Sequence, residues 1–219
     1  MCVSYNPIYY ESVVSCDKKN LTKNIEGRYL LKIKLKNSYT DILTIVMMNP
    51  SKADNEDSDS TVNKVIKFVY EMNTSKDSII HKIGYLNILN VFPAYEPNSM
   101  EVKTKLDIII SDNKLQLMQS ENRKAYDKAF SESQYIVFAW GDVPSNVKAE
   151  YHNHEVIMAY DLIVNYGLEE KVYIIKYEEY EQILTNNKRP RHPSRNNPKL
   201  YVKVNTLRRY RKFLYLDVE

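Results

Sequence analysis

Glycine is scarce in this chain, with four in 219 residues. Phosphate-cradling loops need several glycines so that backbone N–H groups can close on the ligand. Neither a G-x-x-x-x-G-K-S/T nor a G-x-G-x-x-G spacing occurs, and no Ser-His-Asp nucleophile pattern is present. Cysteine is scarcer still. Cys2 and Cys16 form no metal-ligand spacing and no disulfide framework, which points to a reducing interior. No run approaches the ~20 apolar residues that a membrane span needs. The N-terminal stretch MCVSYNPIYYES lacks a basic patch followed by an apolar segment, so no signal peptide is read there. These absences predict a soluble, cytoplasmic protein with no membrane partner, no metal and no cofactor.

What is present supports a packed core. Apolar residues make up 43% and charged residues 27%, with no low-complexity tract, no internal repeat and no linker. One domain over residues 1–219 is the simplest organisation. The net charge of +3 conceals an asymmetry. Residues 188–212 hold ten Lys or Arg and no acid, which leaves the rest of the chain at −7. A segregated basic segment is an electrostatic footprint for phosphates, and a solvated basic helix face is the simpler alternative.

The apolar pattern alternates between strand and helix periods. Residues 1–27 have weak periodicity and read as an irregular lead-in. Residues 29–35 alternate and read as a strand at a sheet edge. Residues 42–48 are continuously apolar, as expected of a strand buried on both faces. A helix follows over 58–72, with Val62, Val65, Ile66, Val69 and Tyr70 at helical spacing. Further strands are predicted at 83–91, 135–140 and 172–176. Helices are predicted within 99–132, at 145–166 and at 178–186. A basic loop then leads to a basic helix near 199–213. Strands alternating with helices mean βα units and a mostly parallel sheet, in which ligands sit beyond the carboxyl ends of the strands.

Several polar residues fall on those ends. Asn49-Pro50-Ser51 closes the second strand, and Pro50 holds Asn49 extended so that its amide projects forward. The bland reading of Asn-Pro is a turn starter. Asn90 ends the next strand and offers both donor and acceptor for the edge of a base, or satisfies loop backbone instead. Trp140-Gly141 reads as close packing of a helix start against the sheet. His192-Pro193-Ser194 lies between Arg191 and Arg195, which are expected to depress the histidine pKa and favour the neutral imidazole. Such an imidazole can donate a hydrogen bond to a developing oxyanion. His152-Asn153-His154 reads as helix surface, since no ligand spacing supports a metal there.

Taken in order, Arg28-Tyr29, Met48-Asn49-Pro50-Ser51-Lys52-Ala53-Asp54, Asp59-Ser60-Thr61, Asn90-Val91-Phe92, Glu121-Asn122, Ala139-Trp140-Gly141 and Arg191-His192-Pro193 resemble the motif series of a bacterial family of unknown function, DUF1643. The resemblance covers about residues 28–195. A wider resemblance is to the uracil-DNA glycosylase superfamily, whose branches carry Gly-x-Asn-Pro-Gly, a strand ending in Asn, a Trp-Gly strand end and a late His-Pro-Ser. It implies an α/β fold: a three-layer α/β/α sandwich with a short, mostly parallel sheet. By that resemblance Asn49 would position the attacking water, Asn90 would read a pyrimidine edge, and His192 would hydrogen-bond the departing base. Ser194 would fall on the loop that presses the DNA strand. Phe92 and Tyr95 are candidates to stack on the base. Lys188, Arg189, Arg191, Arg195, Arg208, Arg209 and Arg211 would grip phosphates of nucleic acid, DNA foremost, or of a nucleotide. Met47 and Ser51 stand where that superfamily has glycine, and reshape the base pocket. The implied activity is N-glycosidic hydrolysis; the alternatives are a non-catalytic nucleic-acid-binding module or a protein-interaction scaffold.

Overall fold

The computed structural model describes residues 3–96, 98 and 101–218. Cys2 and residues 99–100, the first of the predicted 99–132 helices, lie outside the described residues. Seven strands form one sheet: β1 (Tyr10–Asn20), β2 (Glu26–Leu35), β3 (Asp41–Met47), β4 (Ile83–Asn90), β5 (Tyr135–Phe138), β6 (Val172–Tyr177) and β7 (Pro198–Lys203). Their order is β1-β2-β4-β3-β5-β6-β7. The central strands β4, β3, β5 and β6 run parallel, and β1, β2 and β7 attach by antiparallel pairing.

The helices cover both faces. On one face lies α1 (Ser60–Met72), whose Val62, Val65, Ile66, Phe68 and Val69 pack with Leu43, Ile45 and Met47 of β3. On the other lie α2 (Val102–Ser111), α3 (Leu115–Glu132) and α4 (Ala149–Tyr166), which share a core with Val46 and Leu89. Helices on both sides explain the unbroken apolar run of β3, since successive side chains meet opposite layers. The one polar residue inside that run, Thr44, is buried and hydrogen-bonds Ser133 Oγ just past α3. Gly84 in β4 is fixed by a close approach. A Cβ there would stand 1.8 Å from the Tyr39 carbonyl oxygen, so the turn before β3 rests directly on that backbone.

Several sequence expectations are corrected. The lead-in is not irregular: β1 occupies most of it, and three register shifts along β1 blur the alternation that would have revealed it. Consequently β2 is interior, between β1 and β4, and not at an edge. No helix forms over 178–186, where turns and bends follow β6. The basic helix near 199–213 is absent as well. That segment contains β7 and β8 (Thr206–Tyr210), the latter paired with β9 (Phe213–Asp217) in a separate hairpin. Leu200-Tyr201-Val202 is a short apolar run between lysines, with Tyr201 and Val202 packed against opposite cores, and it pairs antiparallel with β6. Among the described residues, no helix is long and apolar enough to cross a membrane.

Candidate functional site

The carboxyl ends of β3 and β5 open onto a cavity of about 580 Å³. Three segments far apart in sequence meet there. After β3 the chain stays zipped to the exit of β4: Val91 and Phe92 N–H donate to the carbonyls of Met47 and Met48, both at 2.8 Å. Asn49 then turns its amide along the wall. Its Nδ2 donates to the Glu96 carbonyl, which leaves Oδ1 to accept from a ligand or a water.

The second segment is the start of α1. Asp59 caps it, accepting from Val62 N–H at 2.8 Å through Oδ1, while Oδ2 faces the Lys52 and Ala53 N–H groups at 3.4 Å. Ser60, Thr61 and Val62 line the cavity, so the positive end of the helix dipole faces it. The third segment is the 190–194 loop. Pro190 carbonyl accepts from Gly141 N–H at 2.8 Å, and this places His192 against the end of β5. Gly141 has φ +78°, and a Cβ on it would lie 3.0 Å from the His192 Cβ. Trp140-Gly141 therefore makes room for His192, and not for a helix start as the sequence suggested.

His192 is half-buried with a definite tautomer. Its Nδ1 accepts the Ser194 N–H at 3.1 Å and sits 3.0 Å from the Ser194 hydroxyl. In the neutral ring the proton then resides on Nε2, as a donor. Burial pushes the pKa down to about 4, opposed by the Asp59 carboxylate and aided by Lys64. The neutral form was anticipated, but its largest cause is desolvation and not the flanking Arg191. Arg191 lies flat on Tyr180, its guanidinium carbon 3.6 Å from the ring centroid, and donates to the Gln182 and Leu184 carbonyls. The Arg195 side chain lies outside the described part of the structure.

Arg28 also lines the cavity, a role the sequence reading did not give it. It is fully buried and donates to the Ala53 carbonyl at 2.7 Å, yet Nε and Nη2 have no hydrogen-bond partner. No carboxylate lies within ion-pairing distance of it among the described residues. A buried cation with two idle donors is costly unless a ligand or water meets it. Asn90 is comparable: fully buried, with neither Oδ1 nor Nδ2 partnered. It pairs in register with Met47 on the neighbouring strand, and Met47, not Asn90, lines the cavity.

Of the sequence candidates, Asn49, Ser51, His192 and Ser194 share this cavity. Phe92 and Tyr95 do not. Phe92 is buried against His152, ring centroids 6.3 Å apart, and the Tyr95 hydroxyl donates to the Ala53 carbonyl beside Arg28. Arg189 turns inward to Nδ1 of His152 at 2.9 Å and to Oδ1 of Asn153 at 3.2 Å. His152 is fully buried, not on the helix surface, and burial and Arg189 lower its pKa to about 3. Lys188, Arg208, Arg209 and Arg211 stand away from the cavity wall. Buried polar residues such as Arg28 and His152 carry no sequence signal, because their burial is set by segments remote in the chain.

The motif series collapses onto one place: Arg28, Asn49-Pro50-Ser51, Asp59-Ser60-Thr61, Trp140-Gly141 and His192 all line the same cavity. Glu121-Asn122 supports it from behind, with Asn122 Nδ2 donating to the Asn90 carbonyl at 3.2 Å and to Glu155 at 3.0 Å. A family model described as a protein of unknown function, DUF1643, matches residues 28–194. The chain belongs to that family. No curated protein and no solved structure matches it. In this DUF1643 chain the matched span begins at Arg28 and ends at Ser194, and both line the cavity.

Proposed function

We propose that the cavity receives a nucleobase, carried by nucleic acid or by a nucleotide, and that the protein hydrolyses its N-glycosidic bond. In this reading the chain has a uracil-DNA glycosylase-like three-layer fold. The observation that carries the proposal is a neutral His192 with Nε2–H as donor, lining the same cavity as an Asn49 whose Oδ1 is unengaged. When a glycosidic bond breaks dissociatively, negative charge grows on the departing base. A neutral imidazole N–H is too weak an acid to give its proton up, so it stabilises that charge by a hydrogen bond without full transfer. Asn49 Oδ1 orients the attacking water. The idle donors of Arg28 supply hydrogen bonds to carbonyl oxygens of the base, and their burial strengthens such bonds.

The test is an oligonucleotide cleavage assay. Single- and double-stranded DNA carrying uracil, hypoxanthine or mismatches is treated with protein, then with alkali to cut abasic sites. Cutting that disappears in Asn49→Ala and His192→Ala supports the proposal. No cutting on any substrate at high protein concentration sinks the catalytic reading, and cutting that survives both variants overturns the assigned roles.

A second reading, base binding without hydrolysis, is favoured by Met47. It lines the cavity where the glycosylase superfamily has glycine, and Asn90 beside it stays outside the wall. Met47→Gly opens that wall and separates the two readings. Hydrolysis that appears only in the variant assigns binding alone to the native chain.

A further inference from the structure

The three most exposed aromatic rings among the described residues lie on one face of one hairpin. They are Tyr210 at 60%, Tyr215 at 50% and Phe213 at 48% exposure. Strand geometry explains the clustering. Tyr210 pairs with Phe213 and Arg208 pairs with Tyr215, so these four side chains emerge on the same side of β8–β9. The alternate positions turn inward: Leu207 and Leu214 pack against the main core, Leu216 is buried within it, and Arg209 donates to Asp161 of α4 at 2.9 Å. The hairpin is thus anchored by its inner face while its outer face is left aromatic.

Its charge is equally one-sided. Residues 188–212 contain ten bases and no acid, and the hairpin's one acid is Asp217 at the end of β9. Arg209 and Lys212 are neutralised by Asp161 and Glu150, but Arg208 and Arg211 have no carboxylate partner among the described residues. Arg211 occupies the turn at φ +54°, a conformation that favours glycine, with its guanidinium 5.4 Å from the Tyr210 ring centroid. A strained turn thus carries a cation where glycine would be easier.

We propose that the outer face of β8–β9 is a stacking platform for single-stranded nucleic acid; this rests on the nucleic-acid reading of the cavity. Flat rings side by side accept successive bases, and unpaired arginines meet the phosphates between them. A duplex hides its base faces inside the stack, so rings on an open surface select single strands. The excess of base over acid on the hairpin, Arg208, Arg209, Arg211 and Lys212 against Asp217, favours a polyanion over a protein partner. The platform also adjoins the cavity. Phe213, Tyr215 and Lys188 line a neighbouring hollow of about 430 Å³ whose wall includes Trp140, and Trp140 is also a wall of the main cavity.

The experiment is fluorescence anisotropy on the full chain with labelled oligo-dT, oligo-U and a DNA duplex of equal length, at low and moderate salt. Oligo-dT or oligo-U should bind more tightly than the duplex. The triple variant Tyr210→Ala/Phe213→Ala/Tyr215→Ala should weaken single-strand binding by at least about 50-fold, since each stacked base contributes roughly fivefold to 100-fold. Its melting temperature should stay unchanged, because the altered rings face solvent. Arg211→Gly should fold at least as well and bind several-fold more weakly. Equal or tighter duplex binding overturns the platform, as does single-strand binding untouched by the triple variant. Self-association that the triple variant abolishes also overturns it, by showing that a second copy covers the face. Oligonucleotide binding that persists when Asn49→Ala and His192→Ala show no role in cleavage leaves the platform standing and removes only the hydrolytic reading.

Discussion

The cavity and the C-terminal hairpin are built by opposite means. The cavity is assembled from segments as far apart as Arg28 and Ser194, held by backbone hydrogen bonds and by a close approach of Gly141 to His192. Its wall includes the fully buried Arg28, whose Nε and Nη2 are unpartnered. The hairpin is local, formed by a few consecutive residues, and its distinctive groups are exposed. The family match covers the first and stops before the second. Precision is therefore concentrated where the family motifs converge, and the hairpin is an appended surface whose effect depends on charge and area. Substitutions should divide accordingly.

The largest effect is expected at Gly141. Gly141→Ala adds a methyl 3.0 Å from His192 Cβ at a positive φ, and should cost about 3 kcal/mol while displacing the His192 loop. Gly167→Ala is the matched control. It too has positive φ, but nothing lies within 4 Å of the new methyl, so only about 1 kcal/mol should be lost. Urea unfolding measures both; equal losses would remove the special status of the Gly141–His192 contact.

Acid should act next, and on the cavity side. The pKa of His152 falls to about 3 in the folded chain and that of His192 to about 4, both below the ordinary unfolded value near 6.5. Between those limits the unfolded chain binds more protons, so stability is intact above about pH 6.5 and declines as pH falls towards 4. His152 alone should account for about 2 kcal/mol between pH 7 and pH 5. His154, raised by Glu155, opposes this weakly from a more exposed position. His152→Gln should flatten the urea-midpoint profile over that range; an unchanged profile would show that His152 is not buried neutral.

Arg28→Met should move stability in the other direction. It removes a buried cation with idle donors, and the Ala53 carbonyl keeps the Tyr95 hydroxyl as donor. A gain of up to about 1 kcal/mol is expected together with loss of ligand binding, the pattern of a group kept for function at a cost in stability. Destabilisation on thermal melting would assign Arg28 a structural role. The smallest effect belongs to the hairpin's inner face. Arg209→Ala breaks an exposed pair with Asp161 and should cost no more than about 0.5 kcal/mol, less at high salt.

The sequence revealed most of the central architecture, for a physical reason. β3, β4, β5, β6 and α1 are buried on defined faces, so their apolar periods are strong. β1 escaped notice because bulges break its alternation, and β7–β8 because their apolar stretches are short and set among basic residues. The site was half visible. Proline at positions 50 and 193 marks where Asn49 and His192 are held, and both line the cavity. Arg28 and His152 were invisible as buried groups, since a strand-borne arginine and a helical histidine ordinarily face water.

The two rims of the main sheet have a consequence for the life of the protein in a crowded solution. An exposed strand edge is a template on which another chain can add itself. Here one rim is β1, interrupted by register shifts and studded with Lys18 and Lys19. The other is β7, opened by Pro198, which has no N–H to offer, and carrying Lys199 and Lys203. Neither rim presents a flat, apolar ladder. A chain with few glycines and many tyrosines thus limits its own polymerisation at its edges, leaving its open aromatic surface to a hairpin that stands outside the sheet.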